Sequence, residues 1–245
     1  MRQLFTLLLI CVAVSLSAQW NYNSGSGKKI KGNGDVDTQQ RDLKNFDGVS
    51  TCCNINVELR QGDFDVRVRV EAESNLFEYI RTEVIGKRLR VSFKNRTNVK
   101  AREEITVYVS LPDLRYVAAS GSGRVIGKTE FSGDDLDLDV NSAGAIRMAF
   151  TGDEIDAEAS SGGKVEISGS GRMIRADASS GGRVQAGGFS AKRGRCNSSS
   201  GGGISLTVSE ELDAKASSGG SVRYSGSPKD VDSNSSSGGS IRRQN

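Results

Sequence analysis

The densest run of potential chemistry is Asp134-Asp135-Leu136-Asp137-Leu138-Asp139, four carboxylates in six residues. Side chains on a strand alternate between faces, so Asp135, Asp137 and Asp139 share one. Three carboxylates at that spacing suit a hard cation such as Ca²⁺. With Arg147 on the next strand they would supply the parts of a calcium-dependent polysaccharide lyase, a cation to acidify the proton beside a uronate carboxyl and a basic residue to act on it. The competing reading is a solvated acidic edge facing Lys and Arg on neighbouring strands. Structural ion pairs far outnumber sites, and that reading is adopted.

Other chemistry is excluded more simply. The sequence has no histidine, which removes His bases, His zinc ligands and His pH switches. Gly121 to Gly127 reads GxGxxxG with a strand behind it, so no helix N-terminus waits for a phosphate. The serines have no His partner and no nucleophile elbow leading into a helix. Ser-Ser-Gly-Gly lacks the Asp of calcium-binding nonapeptide repeats. No catalytic residue and no cofactor is expected, and Asp135, Asp137 and Asp139 are the weak metal candidates. The 33 basic and 30 acidic residues leave a net charge of +3, too balanced for a binder that works by neutralising phosphates, so no nucleic-acid partner is expected.

The elements that carry these residues follow from a repeat. From residue 120 onward the chain holds 26 of its 34 Ser and 23 of its 30 Gly, and periodicity separates this stretch from a disordered linker. Ser-Ser-Gly-Gly begins at Ser160, Ser179, Ser199, Ser217 and Ser236, with weaker copies at Ser120 and Asn141. A period near 19 residues is a solenoid signature. A second set of glycines, at Gly133, Gly152, Gly169–Gly171, Gly187–Gly188 and Gly226, falls about halfway round, giving two strands per coil. Apolar residues alternate on these strands, as in Leu136, Leu138 and Val140 or Ile146, Met148 and Phe150. They shrink to Ala157 and Ala159, then Ala176 and Ala178, on approaching the Ser corner. Cys196 shares the column of Ala176, which predicts a buried, inert thiol, and Phe131, Phe150, Phe189 and Tyr224 are expected inside. Outward Arg183, Arg223 and Arg242 accompany the Ser ridge.

Upstream, longer alternating strands are expected at Ile55–Leu59, Phe64–Ala72, Leu89–Phe93 and Ile105–Val109, with a hairpin at Gly86-Lys87 and a helical turn at Leu76–Ile80. Residues 1–18 read as a secretory signal peptide, with Arg2, an apolar run too short to span a membrane, and small residues before Gln19. Residues 19–35 read as a flexible polar segment, 36–115 as an N-terminal β region, and 116–245 as the repeat solenoid of the same continuous domain. Export makes Cys52, Cys53 and Cys196 an odd set in an oxidising compartment. As strand neighbours, Cys52 and Cys53 are expected to point apart and not to pair.

Several segments occur in a telling order: Phe46-Asp47-Gly48-Val49, Asn54-Ile55-Asn56-Val57-Glu58-Leu59 with Gln61-Gly62, Leu89-Arg90-Val91, and Leu111-Pro112-Asp113-Leu114 running into Ser120-Gly121-Ser122-Gly123. Together with the repeated Gly-Ser turns, this order resembles the putative auto-transporter adhesin, head GIN domain family of exported proteins from Bacteroidetes-like bacteria. The resemblance covers nearly the whole mature chain. It implies an all-β, right-handed parallel β-helix, like a pectin lyase without its catalytic residues, and a role in adhesion. The family offers no functional residues to carry over, and the present chain departs from it in favouring Ser-Ser-Gly-Gly over Gly-Ser-Gly. The expectation is an exported, non-catalytic solenoid at the periplasm, outer-membrane surface or outside the cell, with no transmembrane helix in the mature chain. Its partner would be a glycan or an envelope or host protein, met by Ser160, Ser179, Ser199, Ser217, Ser236, Arg183, Arg223 and Arg242. A structural or signalling accessory of the envelope is the remaining alternative. Oligomeric state is left open.

Overall fold

The computed structural model describes residues 28–62, 67–95 and 97–244. The expected signal peptide, residues 19–27 of the polar segment, and Phe64 and Val66 lie outside the described residues. In chain order the strands are β1 (Lys28–Lys31), β2 (Val36–Arg41), β3 (Gly48–Thr51), β4 (Asn56–Gln61), β5 (Val68–Glu73), β6 (Ile80–Ile85), β7 (Arg88–Phe93), β8 (Thr97–Lys100) and β9 (Thr106–Leu111). The repeat region adds β10 (Tyr116–Ala119), β11 (Arg124–Ser132), β12 (Asp135–Val140), β13 (Ala145–Ala159), β14 (Lys164–Ala178), β15 (Arg183–Ser198), β16 (Gly203–Ala216), β17 (Ser221–Ser225), β18 (Asp230–Ser235) and β19 (Ser240–Arg243). A single 3-10 turn, Ser74–Leu76, stands upstream of the expected helical turn, because Ile80 already opens β6.

The repeat builds parallel coils. Strands β13 to β16 are long because each rounds the mid-coil corner. The first half of β13 pairs with β11 and its second half, from Glu154, pairs with β12. Each coil thus places one strand on an approach face, leading into the Ser corner, and one on a departure face. Alternation puts every second residue inside, and the register stacks these into columns. On the departure face Val107, Val57, Val125, Ile146, Val165, Val184, Ile204 and Val222 lie in register and are buried. Burying each such side chain contributes about 1.5–3 kcal/mol. On the approach face the column runs Leu138, Ala157, Ala176, Cys196, Ala214. Cys196 is buried as its repeat position predicts. Phe131, Phe150 and Phe189 fill the interior, and Tyr224 is partly buried against it.

The Ser corner is a tight turn repeated in stack. The N–H of Gly163 donates to the carbonyl of Ser160 at 2.8 Å, and the later copies repeat this bond. The second Ser and first Gly both take positive φ, 48° and 74° at Ser180 and Gly181, a pair of values that defines a type I′ turn. The first-Gly N–H then donates across to the next coil, from Gly181 to the Ser200 carbonyl at 3.2 Å. The second Gly serves close approach: a Cβ on Gly182 would lie 2.2 Å from the Ala159 carbonyl oxygen. The corner therefore contains two glycine columns. Gly162, Gly181, Gly201, Gly219 and Gly238 form the positive-φ column, and Gly163, Gly182, Gly202, Gly220 and Gly239 the crowded one.

The stack extends upstream of residue 116. Strands β3 and β4 form a coil whose neighbours are β10 and β11 on one side and β7 and β9 on the other. Antiparallel strands close that end: β6 on β7 through Gly86-Lys87, then β5 on β9 and β2 on β5. Strand β1 pairs in parallel with β8.

Cys52 and Cys53 do form a disulfide with each other, contrary to the expectation from strand alternation. Strand β3 ends at Thr51, and the pair occupies the Ser corner of its coil. The N–H of Ile55 donates to the Cys52 carbonyl, and Cys53 has a φ of 65°, so the two residues follow turn geometry and no longer alternate.

Candidate binding face

Outward residues of the departure face fall into two columns beside the Ser corner. The first runs Arg124, Ala145, Lys164, Arg183, Gly203, Ser221, Ser240, and the second Ile126, Arg147, Glu166, Gln185, Ser205, Arg223, Arg242. In the middle coils the charges pair off. Glu166 receives Lys164 at 3.2 Å and Arg147 at 3.3 Å. From Arg183 onward these columns contain no acid. Arg183, Arg223 and Arg242 are exposed and, among the described residues, enter no ion pair. Arg183 and Arg223 flank a notch of about 210 Å³ whose lining includes Gln185, Gly203, Ser205 and Ser221.

The five Ser residues singled out from sequence do stack along this edge. Ser160, Ser179, Ser199 and Ser217 are half-buried and Ser236 is exposed. The exposed hydroxyl row is the neighbouring one, Ser161, Ser180, Ser200, Ser218 and Ser237. Cross-coil bonds at the corner run through the backbone, apart from the Ser198 hydroxyl, which accepts the Ser221 N–H at 3.1 Å. Sequence reasoning missed that Gly203, Gln185, Ser205 and Ser221 line this notch. The third glycine of Gly201-Gly202-Gly203 was the available signal.

The approach face carries the opposite charge. Asp135, Asp137 and Asp139 point outward from β12 and lie in register with Glu154, Asp156 and Glu158. Burial first, then the charges of Glu158, Asp137 and Asp177, pushes Asp156 up to about 6. Tyr116 is raised by burial and by the charge of Asp139, to which its hydroxyl donates, and the Arg88 guanidinium lies 3.6 Å from its ring centroid. Arg147 stands on the departure face, bound to Glu166, so the structure does not bring it to the Asp trio. Among the described residues no group of three or more His, Cys, Asp or Glu is placed to hold a metal ion. Buried Cys196 is pushed up to about 12 by burial, then by Asp213 and Asp177, and stays a thiol.

Among the described residues, no helix is long and apolar enough to cross a membrane. Similar solved structures include a putative adhesin from Bacteroides fragilis, with a TM-score of 0.81 at 19% identity, covering 88% of this chain and all of that one. A putative adhesin from Parabacteroides distasonis gives 0.70 at 18%, covering 89% and 100%. A putative lipid binding protein from the same species gives 0.66 at 22%, again covering 89% and 100%. These likenesses establish the fold. No curated protein matches the chain significantly. Residues 45–228 match one family along most of the coil stack, and the chain accordingly belongs to the putative auto-transporter adhesin, head GIN domain family.

Proposed function

We propose that the protein is an exported, non-catalytic β-solenoid that binds a glycan or an envelope or host protein through its Ser-edged departure face. The observation that carries this reading is the run of unpaired Arg183, Arg223 and Arg242 on a regular polar surface, whereas in the middle coils Arg147 and Lys164 share Glu166 as a partner. A rigid stack repeats small polar contacts at a fixed spacing, which suits extended partners met by many weak hydrogen bonds. A lyase reading lacks its basic residue, since Arg147 is held on the other face by Glu166. The relative named for lipid binding raises that ligand class too. Here Phe131, Phe150 and Phe189 occupy the interior, so an acyl chain would have to lie on the surface.

Glycan-array and pull-down screens of the mature protein test the reading. The expected outcome is a ligand whose binding weakens when Arg183, Arg223 and Arg242 are replaced together by Ala. Failure of both screens at millimolar sensitivity would leave a structural accessory of the envelope as the better account.

A further inference from the structure

We propose that the notch over Gly203 is a binding site for an acidic glycan, a chain bearing carboxylate or sulfate groups laid along the stack axis. This rests on the departure face being the binding surface and adds the ligand class and the place.

The first observation is a glycine that its own backbone does not require. Gly203 opens β16 with no positive φ, and a Cβ there would meet only Ser221 Oγ at 3.6 Å and Arg183 Cγ at 3.9 Å, ordinary contacts. The same column elsewhere holds Arg, Ala, Lys and Ser. Glycine weakens a strand and commonly marks a place where another molecule approaches the backbone closely. Here it opens the floor of the notch.

The second observation is the charge around that floor. Arg183 lies one coil before Gly203, and Arg223 one coil after. The lining contains no carboxylate. Two guanidinium groups without counterions create a positive potential that an anion relieves, and their forked donors match carboxylate and sulfate geometry. Gln185, Ser205 and Ser221 add amide and hydroxyl partners of the kind sugar hydroxyls use. The apolar lining comes only from inward-pointing Val184 and Ile204, which gives a protein partner no anchor pocket for an apolar side chain.

The third observation is spacing. Coils stack about 4.8 Å apart, so the backbones at Arg183 and Arg223 stand roughly 10 Å apart along the axis, with Arg242 one coil further. A linear polyanion laid along the stack would meet the three in turn.

The test measures binding of the mature protein to polygalacturonate and heparin, with neutral dextran, inorganic sulfate, anionic phospholipid vesicles and an acidic polypeptide as comparators. The expected result is binding to one or both acidic glycans, weakening as salt rises, and lost about tenfold or more in R183A/R223A. Gly203→Val should lose as much while melting no lower than wild type, which separates filling the notch from unfolding. Lys215→Ala, exposed on the approach face and away from the notch, should bind as wild type does. Equal binding to dextran, binding only to sulfate, vesicles or the polypeptide, or unchanged glycan binding in both notch variants would each overturn the proposal. If the wild type instead captures a neutral glycan or a protein, this site falls and the broader binding reading stands. If no partner of any class is found, both fall.

Discussion

At the residue scale, the structure assigns unlike fates to residues of like chemistry. Asp135, Asp137 and Asp139 form one edge of an acidic patch whose most confined member is Asp156. Its folded-state value of about 6 lies above the ordinary 3.8. Between those values the folded state holds a proton that the unfolded chain has released, so stability falls as pH rises through that window, and the full penalty persists above it. Asp156→Asn should therefore stabilise the protein by about 1 kcal/mol near pH 7.5, after allowance for solvent screening, and by almost nothing near pH 4. Denaturant midpoints at both pH values check this, and an equal gain at the two would refute it. The cysteines divide similarly. In denatured, unreduced mature protein only Cys196 should accept iodoacetamide, with Cys52 and Cys53 joining after reduction, because those two are bonded to each other. In native protein Cys196 should stay unlabelled, its thiol buried and its thiolate suppressed. Intact-mass measurement distinguishes these states.

At the element scale, the corner decides which substitutions the stack tolerates. Gly181 has φ 74° and open space around a hypothetical Cβ, so Gly181→Val should cost on the order of 1 to 3 kcal/mol from backbone strain. Gly182 has ordinary φ but no room, and Gly182→Ala pushes a methyl into the Ala159 carbonyl. It should cost more than Gly181→Val, since only movement of one coil against the next relieves the collision. Asp177→Ala, outward on the approach face, should stay within about 0.5 kcal/mol. Ala143, at φ 60° where later coils have glycine, offers the reverse test. Ala143→Gly should stabilise by about 1 kcal/mol. Chemical denaturation of the five proteins together orders these effects, and a Gly182→Ala midpoint equal to wild type would contradict the close-approach column. These contrasts also mark what was legible beforehand. Period two and period 19 sufficed to place Leu138, Ile146 and Cys196, because every coil repeats the same packing problem. Spacing alone could not separate the two roles within Gly-Gly, which depend on a carbonyl one coil away. Nor could it identify Cys52-Cys53 as a corner, since that coil has no Ser-Ser-Gly-Gly. The pairing of β3 with both β7 and β10 was equally hidden, being set by contacts far apart in sequence.

At the scale of the whole molecule, a stack of parallel coils must be closed at its ends, where strands have unpaired backbone groups. In the coil of β18 and β19 the interior columns continue with Ser233 and Ser235 in place of alanine and Arg243 after Tyr224, beside Val231 and Ile241. The other end is closed by antiparallel strands and tied down by Glu73. This carboxylate is fully buried and accepts the N–H groups of Gly34 at 2.6 Å and Arg102 at 2.8 Å. Gly32 is glycine because a Cβ there would collide with the carboxylate. Burial alone would raise Glu73, but the backbone donors of Arg102, Gly34 and Glu103 and the charge of Arg102 outweigh it and hold the group below its ordinary 4.5. The folded state then binds a proton less readily than the unfolded chain. The contribution of Glu73 is present above pH 4.5 and is lost as pH falls through the depressed folded value. The tie joins the segment around Gly32–Gly34 to the segment around Arg102, so its loss should be local. Glu73→Gln keeps the shape but removes the charge that the three donors face. Hydrogen exchange should speed at residues 28–35 and 101–104 in the variant at neutral pH, and in wild type on acidification, while residues 160–220 keep their protection. Equal loosening along the whole stack would mean that Glu73 supports the core and not the cap, and unchanged exchange at residues 28–35 would remove its role in closing this end.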